Sequence, residues 1–356
     1  MEHQSLYRRF RSQRFAELIG QDHVTVPLRA AVRDGRTSHA YLFSGPRGTG
    51  KTSTARILAK ALNCKNPVDG EPCDECESCV QIREGRSFDV FELDAASHSG
   101  VEAMRELTAR AALTTPGRQK VYIVDEVHML STAASNALLK TLEEPPPHVV
   151  FVLATTDPQK VLPTIRSRTQ HYSFRLLATD VLIDHLSAVA DVAGLGVDHE
   201  VLATAARRGQ GSARDALSSL EQLSLAPGDL VDQTNLTTLL NSLFADDRAG
   251  ILHAVAQLLA AGHDPRNVAR ELVAELREFF LADIAPELCV VPSDEVAERA
   301  QRAREYSLRR TVGAIESTGR ALVDMRDALD ARAVLEVCLL GLTIDTARFA
   351  GIDHRT

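Results

Sequence analysis

Eight consecutive residues, Gly45-Pro46-Arg47-Gly48-Thr49-Gly50-Lys51-Thr52, carry the groups needed to hold a nucleoside triphosphate and its metal. Glycines let backbone N–H groups curl around phosphate oxygens, a lysine at this place reaches the β- and γ-phosphates, and the hydroxyl after it ligands Mg²⁺. Ser53, next in line, is counted with this cofactor-binding group. The flanks are those the chemistry needs. His39-Ala40-Tyr41-Leu42-Phe43 reads as a short buried strand, and Ala55, Leu58, Ala59 and Leu62 fall on one helical face directly after the loop. A chance glycine loop with a surface lysine would lack both.

A second group of candidates lies downstream. Val121-Tyr122-Ile123-Val124-Asp125-Glu126 is an apolar strand ending in two carboxylates. Asp125 is expected to hold the Mg²⁺ shell and Glu126 to orient an attacking water beside the γ-phosphate. His128 follows, but a histidine beside a strand end is read as a packed or hydrogen-bonded structural residue and is assigned no chemistry. Another strand ends in Thr155-Thr156-Asp157, at the sheet edge where ligands collect in open α/β folds, so Thr156 is a candidate γ-phosphate sensor; a strand-end threonine closing a turn is the competing reading. Ser212, with Asp215 three positions later, has the pattern of a helix N-cap. That cap puts Arg214 in the first helical turn, where the macrodipole disfavours a cation unless something anionic, such as a bound triphosphate, compensates. Ile165-Arg166-Ser167-Arg168-Thr169 poses a choice between surface cations and a catalytic arginine that spacing alone leaves open.

Cys64, Cys73, Cys76 and Cys79 lie in one polar, turn-rich insertion. Four thiolates this close in sequence can surround one tetrahedral Zn²⁺, and a small loop with little apolar content needs such a clasp to stay ordered. An iron–sulfur run is the first rival, but Arg83 stands where its next ligand would fall and no proline follows. A redox disulfide pair is the second. Cys289 and Cys338 sit in apolar contexts and read as buried core residues.

The elements that must position these groups alternate along the first half of the chain. Strand patterns at 88–93, 121–124 and 149–154 follow the first one, with helical patterns between them, which implies a mostly parallel, three-layer α/β sheet. A helix over about 131–144 is stopped by Pro145-Pro146-Pro147. Beyond Phe174 strand signals vanish, and helical spacing is broken at Gly194, at Gly209 to Gly211 and at Ala226-Pro227-Gly228-Asp229. From about Ala245 to Ala350 the chain is again helical and rich in Ala and Leu. The 356 residues suffice for more than one core. A formal net charge of -8 excludes a uniformly cationic, nucleic-acid-coating surface and confines any DNA contact to a patch. The N-terminus lacks the apolar core of a signal peptide and no apolar run is long enough to span a bilayer, so a cytoplasmic protein without membrane contact is expected, where cysteines stay reduced.

Together these stretches resemble the AAA+ ATPases, and within them the gamma/tau family of bacterial DNA polymerase III clamp-loader subunits. The resemblance is carried by Gly45 to Thr52, the cysteine insertion, Leu93 to Ser97, Val124 to Ser131, Asn136 to Pro146, Ala154 to Lys160 and Gly211 to Leu217. It implies an AAA+ P-loop domain at 1–177 with a parallel sheet and a zinc module at 64–79, a helical lid at 178–243, and a helical collar and oligomerisation domain at 244–356. It also implies an ATP- and Mg²⁺-dependent ATPase of the replisome on the nucleoid. Its partners would be delta- and delta-prime-like loader subunits in a hetero-pentamer with homo-oligomer contacts, a sliding clamp and primed DNA. Arg168 falls at the family's Ser-Arg-Cys motif, where it would act as an arginine finger on a neighbour's ATP; Thr169 replaces the cysteine. The segment Arg8 to Phe15 is similar to the family's entry to the adenine pocket, which would bring Arg11 and the Ile19-Gly20-Gln21 turn to the nucleotide; a solvated basic arm is the alternative. Arg105 is similar to a residue facing DNA in the assembled chamber. Two other classes stay open: a branch-migration or other DNA-remodelling motor, and a non-hydrolysing scaffold switched by nucleotide.

Overall fold

The computed structural model describes residues 4–111, 117–225, 233–286, 289 and 293–349. The chain forms two compact units, Met1–Leu225 and Ala226–Thr356.

The first unit is built on five parallel strands, β1 (Ala40–Ser44), β2 (Val90–Asp94), β3 (Lys120–Asp125), β4 (Val149–Thr155) and β5 (Gln170–Ser173), in the order β2-β3-β4-β1-β5. The side chains of each strand alternate between two faces, and both faces are covered. On one, Leu42, Tyr122, Val124, Phe151 and Leu153 pack against Met104 and Leu107 of α5 (Val101–Ala111), against Leu138 and Leu142 of α6 (Thr132–Glu143) and against Ile165 of α7 (Pro163–Arg166). On the other, Tyr41, Phe43, Ile123 and Val152 meet Leu28 of α2 (Asp22–Arg33) and Ala55, Leu58 and Ala59 of α3 (Lys51–Asn63). The first helix, α1, is the short Leu6–Arg9, and α4 (Glu77–Arg83) closes the cysteine insertion.

The sequence reading missed β5. Its residues are polar and largely exposed, so no apolar run marks it, and it exists because its backbone completes the ladder with Tyr41 to Ser44 at the sheet edge. His171 adds a 2.7 Å hydrogen bond to the Ser44 hydroxyl.

Three helices follow in the same unit: α8 (Thr179–Ala193), α9 (His199–Gly209) and α10 (Ala213–Leu225). α8 ends on Gly194 at φ +67°, and the α9–α10 turn uses Gln210 and Gly211, both at positive φ, as the glycine spacing suggested. Gly209 lets the two helices meet closely, because a Cβ there would lie 2.6 Å from that of Ala216. The third expected break, Ala226 to Asp229, lies outside the described residues.

The second unit contains α11 (Gln233–Phe244), α12 (Arg248–Ala260), α13 (Pro265–Ile284), α14 (Ser293–Tyr306), α15 (Leu308–Asp324) and α16 (Ala331–Phe349). Its core joins Leu239 and Leu243 of α11 to Ile251, Leu272, Leu276, Phe279, Ala314, Ala321, Leu335 and Leu339. Asp247 and Asp264 cap α12 and α13 through the N–H groups of Gly250 and Arg266, at 2.9 and 2.8 Å. Cys289 and Cys338 are half-buried rather than fully buried as the sequence suggested. On α16 it is Leu335 and Leu339 that face the core, and Cys338 flanks them. Among the described residues no helix is long and apolar enough to cross a membrane.

Candidate nucleotide site and cysteine cluster

The loop from β1 to α3 holds three glycines at φ values of +140°, +74° and +104°: Gly45, Gly48 and Gly50. Such angles strain any residue with a Cβ, and there is no room for one. A Cβ would lie 2.4 Å from the Phe174 carbonyl oxygen at Gly45, 1.9 Å from Ser212 Oγ at Gly48 and 2.7 Å from Leu18 Cδ2 at Gly50. The loop therefore touches three separate parts of the unit. Lys51 opens α3 with its side chain turned back into the loop, Nζ donating to the carbonyls of Gly45 and Pro46 at 2.7 Å each. It is only 6% exposed, and burial holds its ammonium below the usual lysine range while Glu126 and Asp125 pull the other way.

The sheet brings the acidic pair to the same place. Thr52 Oγ1 donates to Asp125 Oδ2 at 2.8 Å, and the Glu126 N–H to Asp125 Oδ1 at 3.0 Å. Glu126 itself is left-handed, φ +49° and ψ +45°, a conformation that is costly for a residue of this kind and concentrates at functional sites. The turn it makes presents the carboxylate to the end of β4. Its Oε2 accepts from the Thr156 N–H at 3.1 Å and from Thr156 Oγ1 at 2.9 Å. His128 Nδ1 stands 3.3 Å from the same oxygen and 2.9 Å from Thr155 Oγ1. His128 is hydrogen-bonded, as expected of a residue beside a strand end, and stands between Glu126 and the buried end of β4.

A cavity of about 440 Å³ opens beside these groups. The glycine loop, Lys51, Thr52, Ser53, Asp125 and Glu126 form its polar floor, with Leu18, Ile19, Leu177 and Leu217 among the apolar walls and Tyr7, Arg11, Arg47 and Arg214 around them. Ser212 is the expected N-cap, its Oγ accepting from the Asp215 N–H at 3.2 Å. Arg214, one residue into α10, lays its guanidinium 4.7 Å from the centre of the Tyr7 ring. The negative face of the ring attracts this cation. Arg11 is half-buried, and desolvation together with the nearby Arg56 guanidinium lowers its pKa; Arg56 is itself held bidentately by Glu92 at 2.7 and 2.9 Å.

Not every candidate converges here. Ile19 lines the cavity, but the side chain of Gln21 is wholly buried, its amide bonded to the backbone of Arg175 at both ends. Arg168 lies outside the cavity wall; it pairs with Glu143 at 2.8 Å and donates to the Thr164 carbonyl at 2.9 Å. Thr169 bonds the Arg166 carbonyl at 3.1 Å, which closes the turn after α7. Arg105 is exposed on α5. Tyr7, Leu177, His185 and Leu217 were not anticipated. They are ordinary residue types in distant segments; burial holds the His185 imidazole below its usual pKa.

The four cysteines of the insertion converge, all four sulfurs lying within 4.8 Å of one another. A tetrahedron with metal–sulfur bonds of about 2.3 Å has edges of about 3.8 Å, so the donor set fits one zinc ion. The backbone supports this arrangement, the Cys73 N–H pointing at Cys64 Sγ and the Cys76 N–H at Cys73 Sγ, both at 3.3 Å. Burial pushes the thiols of Cys64 and Cys79 up. At Cys76 burial acts the same way, but N–H donors from Lys65 and Cys79 outweigh it and bring the thiol down to about 6. A divalent cation is what would let all four ionise together. Purified protein is expected to be colourless with one equivalent of zinc by elemental analysis; the visible colour of an iron–sulfur cluster, or metal-free protein with a disulfide, would refute the assignment.

The sheet order, the glycine loop after β1 and the Asp125–Glu126 pair at the end of β3 define a P-loop fold of the AAA+ class. A family model described as DNA polymerase III, delta subunit, matches residues 20–178, and one described as DNA polymerase III subunits gamma and tau domain III matches residues 229–348. The DNA polymerase III subunit gamma/tau of Mycobacterium tuberculosis is 42% identical across 96% of this chain and 63% of its own length, and the gamma subunit of Buchnera aphidicola is 41% identical across 68% of each. The chain belongs to the gamma/tau family of DNA polymerase III subunits. It spans 63% of the length of the mycobacterial relatives it matches. Among solved structures, the Thermotoga maritima RuvB Holliday junction branch migration motor aligns with a TM-score of 0.45 at 18% identity, over 66% of this chain and 79% of that one.

Proposed function

We propose that this chain is the ATP-hydrolysing subunit of a DNA polymerase III clamp loader, opening a ring-shaped sliding clamp and placing it on primed DNA. ATP enters the cavity with its phosphates along Gly45 to Thr52 and its base toward Leu18, Ile19, Leu177 and Leu217. Lys51 exchanges the carbonyls of its own loop for phosphate oxygens, so that both partners of each contact are charged rather than the donor alone. Thr52 and Asp125 would hold Mg²⁺, which when bound neutralises charge on the β- and γ-phosphates. Glu126 orients the attacking water. Thr156, bonded to that carboxylate at 2.9 Å, ties its position to the γ-phosphate, and Arg214 contacts the same phosphate from the lid. Arg168 completes the site of an adjoining protomer within a hetero-pentamer that includes delta- and delta-prime-like subunits. The four thiolates hold a structural zinc.

The observation that carries this reading is the hydrogen-bonded series from Thr52 through Asp125 and Glu126 to Thr156, which joins the start of α3 to the ends of β3 and β4, with Thr52, Asp125 and Glu126 lining the cavity. In a reconstituted mixture with sliding clamp and companion subunits, primed DNA is expected to accelerate phosphate release well above the rate of the isolated chain and to leave clamps on the DNA. Strand displacement without any clamp would identify a remodelling motor instead. Nucleotide binding with no phosphate release in the complete mixture would identify a switched scaffold.

A further inference from the structure

The cysteine loop does more than close on itself. Lys60, further along the helix that begins at Lys51, is 1% exposed, and its ammonium is paired with Asp74 at 2.7 Å and donates to Gln13 Oε1 at 2.8 Å. An ammonium so far from water is tolerated only with a counter-charge and satisfied donors. The counter-charge sits between two of the candidate metal ligands, Cys73 and Cys76, and its backbone is left-handed at φ +63°. The amide of Gln13 continues the chain of contacts by donating to the Arg11 carbonyl at 2.8 Å. The same loop reaches the N-terminal segment elsewhere. Arg14 donates to the Cys73 carbonyl at 2.9 Å, and the Glu71 carboxylate accepts the N–H groups of Phe15 and Ala16 at 2.8 and 3.0 Å. Of the segment held in this way, Arg11, Ser12 and Leu18 line the cavity, and Leu18 fills the space beside Gly50.

We propose that the four-cysteine loop is a positioning device for nucleotide: with metal bound it fixes Asp74 and Glu71, and through Lys60, Gln13 and the 14–16 backbone these hold the Arg11-to-Leu18 wall against the glycine loop. Metal occupancy then sets nucleotide affinity at a site that the metal does not touch. The inference rests on the cavity being the nucleotide site.

Calorimetric titration of the full chain with Mg-ADP tests it, alongside zinc content and thermal stability. Stripping zinc with a chelator is expected to weaken ADP binding by about tenfold or more, the equivalent of one lost charge-assisted contact, and added zinc to restore it. Asp74→Asn keeps all four ligands; it should retain its zinc and still bind ADP about tenfold more weakly. Adding Lys60→Met to Asp74→Asn removes the unpaired buried charge, so thermal stability should recover while ADP affinity stays low, because the link to Gln13 is gone. Unchanged ADP affinity in the stripped protein or in Asp74→Asn would overturn the proposal, as would affinity that recovers together with stability in the double variant. Lys51→Ala is the control on the underlying reading. If it bound ADP normally, the assignment of the cavity would fail rather than the brace.

Discussion

Glu126→Gln is expected to leave ATP affinity within about twofold of the parent and to lower single-turnover phosphate release by about 10²–10⁴-fold, the usual contribution of a positioned general base. The geometry separates the two effects. Glutamine keeps the length of the side chain and an oxygen that can accept from Thr156, so the left-handed turn at Glu126 and its contacts with His128 and Thr156 stay intact. What disappears is the negative charge that draws a proton from water. Lys51→Ala removes a different quantity. The lysine is positioned by its own loop carbonyls and buried against the acidic pair, and its loss takes from the phosphates a cation that needs little further ordering. Binding should weaken by about 100-fold or more. Calorimetry with a slowly hydrolysed ATP analogue reads affinity, and rapid-quench phosphate release reads the chemistry. Equal loss of binding in both variants would contradict the division of labour between Lys51 and Glu126.

The parts of this site that were legible in the sequence are those where chemistry dictates residue type and spacing together. A loop that must pass backbone beside phosphates needs Gly45, Gly48 and Gly50, each crowded by a neighbour that leaves no space for a side chain. Asp125 and Glu126 were legible only in company with the glycine loop, since a carboxylate pair after a strand is common by itself, and the fold does bring Asp125 to Thr52. The cysteines could be read because four sulfurs in a polar insertion have few stable alternatives. The apolar walls of the cavity could not. Leu18, Leu177 and Leu217 are ordinary core residues by type, and only the fold brings them to one place. The same limit explains β5, whose strand character comes from backbone pairing with β1 rather than from its own side chains. Arg214 is the intermediate case. The cap at Ser212 was legible, and so was the need for a partner, but the partner in the structure is the ring of Tyr7. An aromatic face so far back in the chain leaves no local mark on the sequence of α10.

The second large effect should appear at Arg168, and only in the assembled protein. Its guanidinium pairs with Glu143, the two side chains being 35% and 49% exposed. A pair so open to water contributes about 0–1 kcal/mol at most. Arg168→Ala should therefore leave the melting temperature and the slow turnover of the isolated chain nearly unchanged. An arginine bound this loosely is also available: giving up Glu143 for the developing charge on a neighbour's γ-phosphate loses little and gains a desolvated, charge-assisted contact. On this argument the clamp- and DNA-stimulated rate of the complex should fall by about 10³–10⁵-fold, the range set by arginine fingers in other phosphoryl-transfer enzymes. Arg168→Lys should recover only a small part, since an ammonium cannot reproduce the planar fork. Mixing Arg168→Ala with Lys51→Ala protomers gives the sharper reading. A site built from two chains is restored wherever an intact Arg168 from the Lys51→Ala chain meets an intact Lys51 from its neighbour, so mixed rings should regain activity that neither variant has alone. Full stimulated activity in rings made only of Arg168→Ala would mean that each chain hydrolyses ATP with its own groups, with Arg214 as the sole arginine on the γ-phosphate.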